Sequence, residues 1–171
     1  MEKNIKTIAD YSSWQIFSLT SLRVLIGWHF LYEGLVKLYT PGGWSAELFL
    51  SNSVGPFASF LKVLSVNQTI LMFVNQANIW GLIAIGLSLF LGIFTKPFKI
   101  AAMVLLFLYY IAYPPFAFYT VSLPVEGSYW IVNKNLIEIA ALLVLFLFPT
   151  SQISGIDRYL ISGWEKKKNV G

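Results

Sequence analysis

Between Leu22 and Leu38 the chain reads LRVLIGWHFLYEGLVKL, an apolar stretch that nevertheless contains four ionisable side chains. On a helix that turns about 100° per residue, Arg23, His29, Glu33 and Lys37 fall on about one third of the circumference. The opposite side carries apolar and aromatic residues only. Such a helix can expose one side to lipid but must cover the other, because a charge at the centre of a bilayer costs about 2.5 kcal/mol or more.

These ionisable residues have a structural and a functional interpretation. Glu33 and Lys37 stand four residues apart in the order that stabilises a helix, so the pair can be structural. His29, near the middle of the stretch, can be a hydrogen-bonded core histidine. The functional alternative is a pathway or a binding site, which intramembrane charge usually marks.

The composition is that of a membrane protein. The chain has 171 residues, enough for one domain, and is 57% hydrophobic but only 12% charged, against about 25% in soluble domains. We therefore expect the lipid bilayer to be a partner. The net charge of +4 is not gathered on a basic face interleaved with aromatic residues, so no nucleic-acid partner is expected. With no cysteine and His29 as the single histidine, no metal or haem site is expected either.

Hydrophobic segmentation predicts an all-α fold, a polytopic membrane four-helix bundle that forms one integral membrane domain over 1–171. The predicted spans are about 16–39, 75–95, 98–118 and 130–149, with a tail at 151–171. In the outer segment 40–74, the Gly55-Pro56 break leaves pieces too short to cross a core of about 30 Å. We interpret this segment as an interfacial or re-entrant helical segment. A fifth span is the alternative, but Lys62, Asn67 and Gln68 argue against it.

The second span carries a stripe of small residues, which is typical of close helix packing in lipid. The stripe consists of Ala77, Gly81, Ala84, Ser88 and Gly92.

The distribution of basic residues predicts the orientation of the chain. Four spans place both termini on one side of the membrane, and the positive-inside rule places the more basic side in the cytoplasm. The residues of that side are Lys3, Lys6, Lys96, Lys99, Arg158, Lys166, Lys167 and Lys168. The N- and C-termini are therefore expected in the cytoplasm, and the segment 40–74 and the loop 119–130 outside.

This orientation gathers polar residues from every span at the outer end. They are Glu33, Lys37, Asn78, Tyr109, Tyr110, Tyr113, Lys134, Asn135 and Glu138. We infer a polar cavity open to the outside and roofed by residues 44–74 and the loop that contains Glu126. The alternative is a water-filled mouth lined by structural pairs, such as Glu33 with Lys134 or Lys37 with Glu138.

Several motifs in chain order resemble the DoxX/DoxD family. They are LRVLIGWHFLYEGLVKL, PGGWSA at 41–46, NIWGLIAIGL at 78–87, YYIAYPP at 109–115, EGSYWIVNKNLIE at 126–138 and GIDRYL at 155–160. The family is named after the membrane subunit of thiosulfate:quinone oxidoreductase. The resemblance implies a four-helix bundle in the cytoplasmic (inner) membrane of a prokaryote, oxidation of thiosulfate to tetrathionate, and quinone as electron acceptor.

The resemblance also suggests roles for the outer polar residues. As catalytic residues we expect Glu33 or Glu138 to accept a proton and His29, or alternatively a tyrosine, to contact a quinone carbonyl. The expected ligands of the small anionic substrate are Lys37, Lys134, Asn135, Asn78, Tyr110, Tyr113 and Trp44, the lysines as counter-charge and Trp44 closing the pocket. Residues that bind a cofactor are not assigned.

Nothing in the chain resembles an electron carrier, so electrons must pass directly between bound molecules or through a partner subunit or redox protein. The alternative function is a non-catalytic membrane anchor or organising subunit for partner proteins. A small-solute transporter is a weaker alternative, because the sequence shows no inverted repeat.

Overall fold

The computed structural model describes residues 11–116 and 130–158, and within them every regular element is a helix. In chain order these are α1 (Ser13–Leu38), α2 (Glu47–Ser51), α3 (Ala58–Val66), α4 (Gln68–Leu91), α5 (Thr95–Ala112), α6 (Lys134–Leu147) and α7 (Ser151–Ser154). The all-α class predicted from the sequence is therefore confirmed for the described residues. The first ten residues, the Glu126 loop and the tail after Arg158 with its three lysines lie outside them.

Two side-chain caps determine where the first long helices begin. Ser12 and Gln15 form a capping box at the start of α1, in which each side chain accepts the other's backbone N–H at 3.3 and 2.8 Å. Asn67 caps α4, because its Oδ1 accepts the N–H groups of Thr69 and Ile70, both at 3.1 Å. Helix α4 thus begins seven residues before the expected span, and Asn67 satisfies backbone donors that the helix itself leaves free.

Helices α1 and α4 pack closely in antiparallel directions through glycines. A Cβ added to Gly27 would lie 2.5 Å from the backbone nitrogen of Phe90, and one added to Gly34 would lie 2.9 Å from that of Ile83. Gly86 lies directly against the backbone of Leu31. Without side chains at these three positions the two backbones can touch, as in many helix pairs in lipid.

The predicted stripe of small residues is only partly at a helix contact. Ser88 and Gly92 are buried, but Ala77 and Ala84 are exposed, and a Cβ on Gly81 would meet no atom within 4 Å. The prediction is wrong for these last three residues, because the face of α4 that meets α1 is centred on Gly86.

One buried core joins α1, α4, α5 and α6. Its residues are Ile26, Phe30, Leu82, Ile85, Leu89, Ala102, Leu106, Leu142 and Leu145. By length and composition, α4 and α5 could each cross a membrane. Helix α1 contributes Ile26 and Phe30 to the same core and also carries ionisable residues. Helix α6 has 14 residues and is shorter than α4 and α5.

The outer segment folds over the end of this core where α1 and α5 finish. Ala46, Leu50 and Leu71 form a second small core. The N–H groups of Val54 and Gly55 donate to the carbonyl of Ala112 at 3.2 and 3.1 Å, which satisfies the C-terminus of α5. The outer segment contains two short helices, α2 and α3. The longer one, α3, has nine residues and spans about 14 Å, so neither helix can cross a bilayer core.

The glycine contact between α1 and α4 gives a matched test of the packing. We expect Gly86→Ala to lower the free energy of unfolding by about 1–3 kcal/mol, because the new methyl group meets the backbone of α1. Gly81→Ala, on the same helix but facing open space, should be neutral or stabilise by up to about 1 kcal/mol. Thermal unfolding of both variants in detergent measures the difference, and equal melting temperatures would contradict the close approach.

Candidate functional site

A hydrogen bond between α1 and α6 is the centre of the candidate site. His29 Nδ1 lies 2.9 Å from Glu138 Oε1, with the histidine side chain 42% exposed and the carboxylate 12% exposed. The two helices run antiparallel, so the middle of α1 meets the second turn of α6. The ionisable groups of α1 and α6 are therefore paired with each other at this point.

Lys37, two turns further along α1, is held by a carboxylate and two aromatic rings. Its Nζ lies 3.6 Å from Glu33 Oε2, and the side chains are 15% and 45% exposed, respectively. The ammonium group also lies 5.0 Å from the ring centroid of Trp44 and 5.9 Å from that of Tyr109. Aromatic faces attract a cation in this range, and more strongly where water is excluded.

Asn78 on α4 connects the surroundings of Lys37 to helix α5. Its Nδ2 donates a hydrogen bond to the hydroxyl of Tyr109 on α5. Its Oδ1 is buried and has no hydrogen-bond partner among the described residues. Because the Tyr109 oxygen accepts this bond, its own proton stays available for another acceptor.

The sequence analysis placed Tyr109 among the polar residues of the outer end but did not include it among the expected substrate ligands. The signal that could have found it is its spacing. Tyr109 follows the buried Ala102 and Leu106 at intervals of seven and three residues, which is the spacing of one helix face. Tyr110 lies about 100° away on the same helix.

These groups form one electrostatic neighbourhood. The charge of Glu33 acts on His29, Lys37 and Tyr109, and the charge of Lys134 acts on both His29 and Lys37. We call the following residues the polar cluster: His29, Glu33, Lys37, Trp44, Asn78, Tyr109, Lys134 and Glu138. The cluster draws on α1, α4, α5, α6 and the start of the outer segment.

Three other predicted site residues lie beside the cluster. The Tyr110 hydroxyl donates to the carbonyl of Ile131 at 2.9 Å, and the Tyr113 hydroxyl donates to that of Phe49 at 2.7 Å. Both protons are therefore committed to the backbone, and the structure does not bring these tyrosines to the cluster as donors. Asn135 is half-buried in the first turn of α6.

The opposite end of the core contains two buried cations. Arg23 is 1% exposed and Lys99 is 0% exposed. The sequence analysis counted Lys99 among the basic residues of the cytoplasmic side, but the structure buries its side chain, because Thr95–Ala112 is helical from its first turn and directs Lys99 into the core. Within the described ranges 11–116 and 130–158, no three His, Asp or Glu residues could together hold a metal ion.

Helices α4 and α5 have the length and the apolar composition of membrane-spanning helices. The model of the DoxX family matches residues 18–120. Since the match covers more than half of the chain, the protein belongs to the DoxX family. No curated protein and no solved structure matches it.

The bond between Asn78 and Tyr109 can be tested by stability. We expect Tyr109→Phe to lower the free energy of unfolding by about 1–3 kcal/mol, because it leaves the Asn78 amide without its acceptor. The matched control is Tyr110→Phe, which removes a hydroxyl bonded to the carbonyl of the exposed residue Ile131 and should cost less than about 1 kcal/mol. Thermal unfolding in detergent measures both, and a larger loss for Tyr110→Phe would contradict this placement.

Proposed function

We propose that this DoxX protein is the membrane subunit of a thiosulfate:quinone oxidoreductase-type system in the cytoplasmic membrane of a prokaryote. In this proposal α1, α4, α5 and α6 form a polytopic four-helix bundle with cytoplasmic termini, and the polar cluster faces outward. The alternating directions of the four helices support this topology. The observation that carries the functional proposal is the bond between His29 and Glu138.

His29 has the geometry of a proton donor reachable from the bilayer. Its Nδ1 is bonded to Glu138 at 2.9 Å, so Nε2 is the nitrogen that can meet a ligand on the exposed side of the ring. A quinone at this position would accept two electrons and two protons. His29 donates a proton from Nε2, and the covered carboxylate of Glu138 stabilises the imidazolium through Nδ1.

The other half of the cluster suits a small sulfur anion. Lys37 supplies positive charge in a mostly covered position, the Tyr109 hydroxyl supplies a free proton, and the Trp44 ring closes one side. Glu33 is half-exposed and only loosely paired with Lys37 at 3.6 Å, so an incoming anion can take its place. Lys134 adds a second positive charge to the same neighbourhood.

The electron balance of the proposed reaction needs two anions for each quinone. Two thiosulfate ions join through a new bond between their terminal sulfurs to give tetrathionate and release two electrons. Those electrons and two protons reduce one quinone to quinol. Because the chain has no cysteine and one histidine, the electrons pass directly between the bound molecules or through a partner subunit.

Quinone reduction driven by thiosulfate tests the two halves of the cluster separately. We expect His29→Gln to lower kcat about 100-fold, as for loss of a general acid, with little change in the KM for thiosulfate. Lys37→Gln should mainly raise that KM, because it removes counter-charge. The matched control, Lys62→Gln on the exposed face of α3, should leave both constants unchanged. Ultraviolet absorbance of the quinone in proteoliposomes follows the reaction.

A non-catalytic role is the second candidate function. It is favoured by the fact that His29 and Lys37 each already have an acidic partner within the fold, as structural charges would. If the wild-type protein shows no turnover, alone or with the products of neighbouring genes, the enzymatic proposal is wrong. The polar cluster would then serve to hold the helices of an anchoring or organising subunit.

A further inference from the structure

A second ionisable cluster lies at the end of the core opposite the polar cluster. Here the first half of α1 meets the C-terminal ends of α4 and α6 and the start of α5. Arg23 and Lys99 are 1% and 0% exposed, and the charge of Arg23 acts on Lys99. We call Arg23, Lys99 and Thr150, the buried residue that precedes α7, the inner cationic cluster.

The bonds of this cluster leave several donors unused. Arg23 Nη2 donates to the carbonyl of Ser154 at 3.2 Å, and Lys99 Nζ donates to that of Leu145 at 2.8 Å. Both acceptors are neutral. Arg23 Nε and Nη1 and Thr150 Oγ1 are buried without a hydrogen-bond partner among the described residues. Buried donors of a charged group are rarely left in this state.

The charges within the cluster do not balance either. Asp157 is the carboxylate whose charge reaches both Arg23 and Lys99, and its Oδ1 also accepts the N–H of Phe94 at 2.9 Å. Lys96 adds a further positive charge near Lys99. Among the described residues, two buried cations and one shared carboxylate leave a positive surplus. A water molecule could satisfy the donors but not this surplus, which is strongly unfavourable away from solvent.

The backbone is shaped around the guanidinium group. A Cβ added to Gly92 or Gly155 would lie 2.7 or 2.9 Å from Arg23 Nη1. Gly92 also has a φ of +73° as the C-cap of α4, a conformation that glycine adopts without cost. Two separate segments of chain therefore omit side chains at the point where Arg23 is placed.

We propose that the inner cationic cluster binds a phosphate-type oxyanion, either free phosphate or the phosphate of an anionic phospholipid. Such an ion supplies both the missing negative charge and several acceptor oxygens, and guanidinium groups recognise it well. The site is closed by α7, a single turn of four residues, which must shift for the ion to enter. This proposal stands apart from the polar cluster and does not depend on thiosulfate oxidation.

Thermal unfolding of the purified, delipidated full chain in a neutral detergent tests the proposal. Sodium phosphate should raise the melting temperature above that in sodium chloride at equal ionic strength, or phosphatidylglycerol should raise it where phosphatidylcholine does not, because a ligand of the folded state stabilises it. A response to phosphate identifies a soluble ion, and a response to phosphatidylglycerol alone identifies a lipid headgroup. If neither changes the melting temperature, the proposal is wrong.

Variants show whether the response comes from this cluster. Thr150→Val removes the unpartnered hydroxyl while keeping the shape of the side chain, and should raise the half-saturating ligand concentration about tenfold. Arg23→Gln should abolish the response, and Lys62→Gln on α3 should preserve it. If Arg23→Gln does not accumulate, Thr150→Val and Lys99→Gln decide. A full response in both of these variants would overturn the assignment.

Discussion

Ionisable side chains on α1 need partners, because the helix packs against an apolar core. This requirement organises the rest of the structure. Glu138 on α6 meets His29, and Trp44 from the outer segment covers Lys37 together with Tyr109. Partners come from different helices, so the same contacts that make the charges tolerable also fix how those helices pack together.

The two ends of the core meet the requirement in different ways. At the end that carries the polar cluster, His29 and Lys37 have acidic partners and remain partly exposed, which suits proton transfer and exchange of a small ligand. At the other end, Arg23 and Lys99 are enclosed and donate to backbone carbonyls. Asp157 is the carboxylate near both cations among the described residues, and the proposed anion would balance the remaining positive charge. The two ends differ chemically because His29 and Lys37 pair with carboxylates, whereas Arg23 and Lys99 donate to backbone carbonyls.

Helical periodicity was enough to predict that the ionisable residues of α1 share one side and that polar residues collect at one end of the helices. It also predicted the pair of Glu33 and Lys37 within α1, which is confirmed, but it could not predict which residues pair between helices. One suggested pair was Lys37 with Glu138, yet Glu138 bonds His29. Residues 29 and 138 are distant in sequence, so local spacing carries no information about their register. Local spacing could not predict the burial of Lys99 either, because that burial depends on where α5 begins.

The coupling between His29 and Glu138 tests the central claim most directly. Unfolding free energies of the wild type, His29→Gln, Glu138→Gln and the double variant form a complete thermodynamic cycle. If the two side chains stabilise each other across α1 and α6, the double variant should lose less stability than the two single losses together, by about 1 kcal/mol or more. Losses that add to within about 0.5 kcal/mol would show that the charges of α1 are not satisfied by the opposing helix.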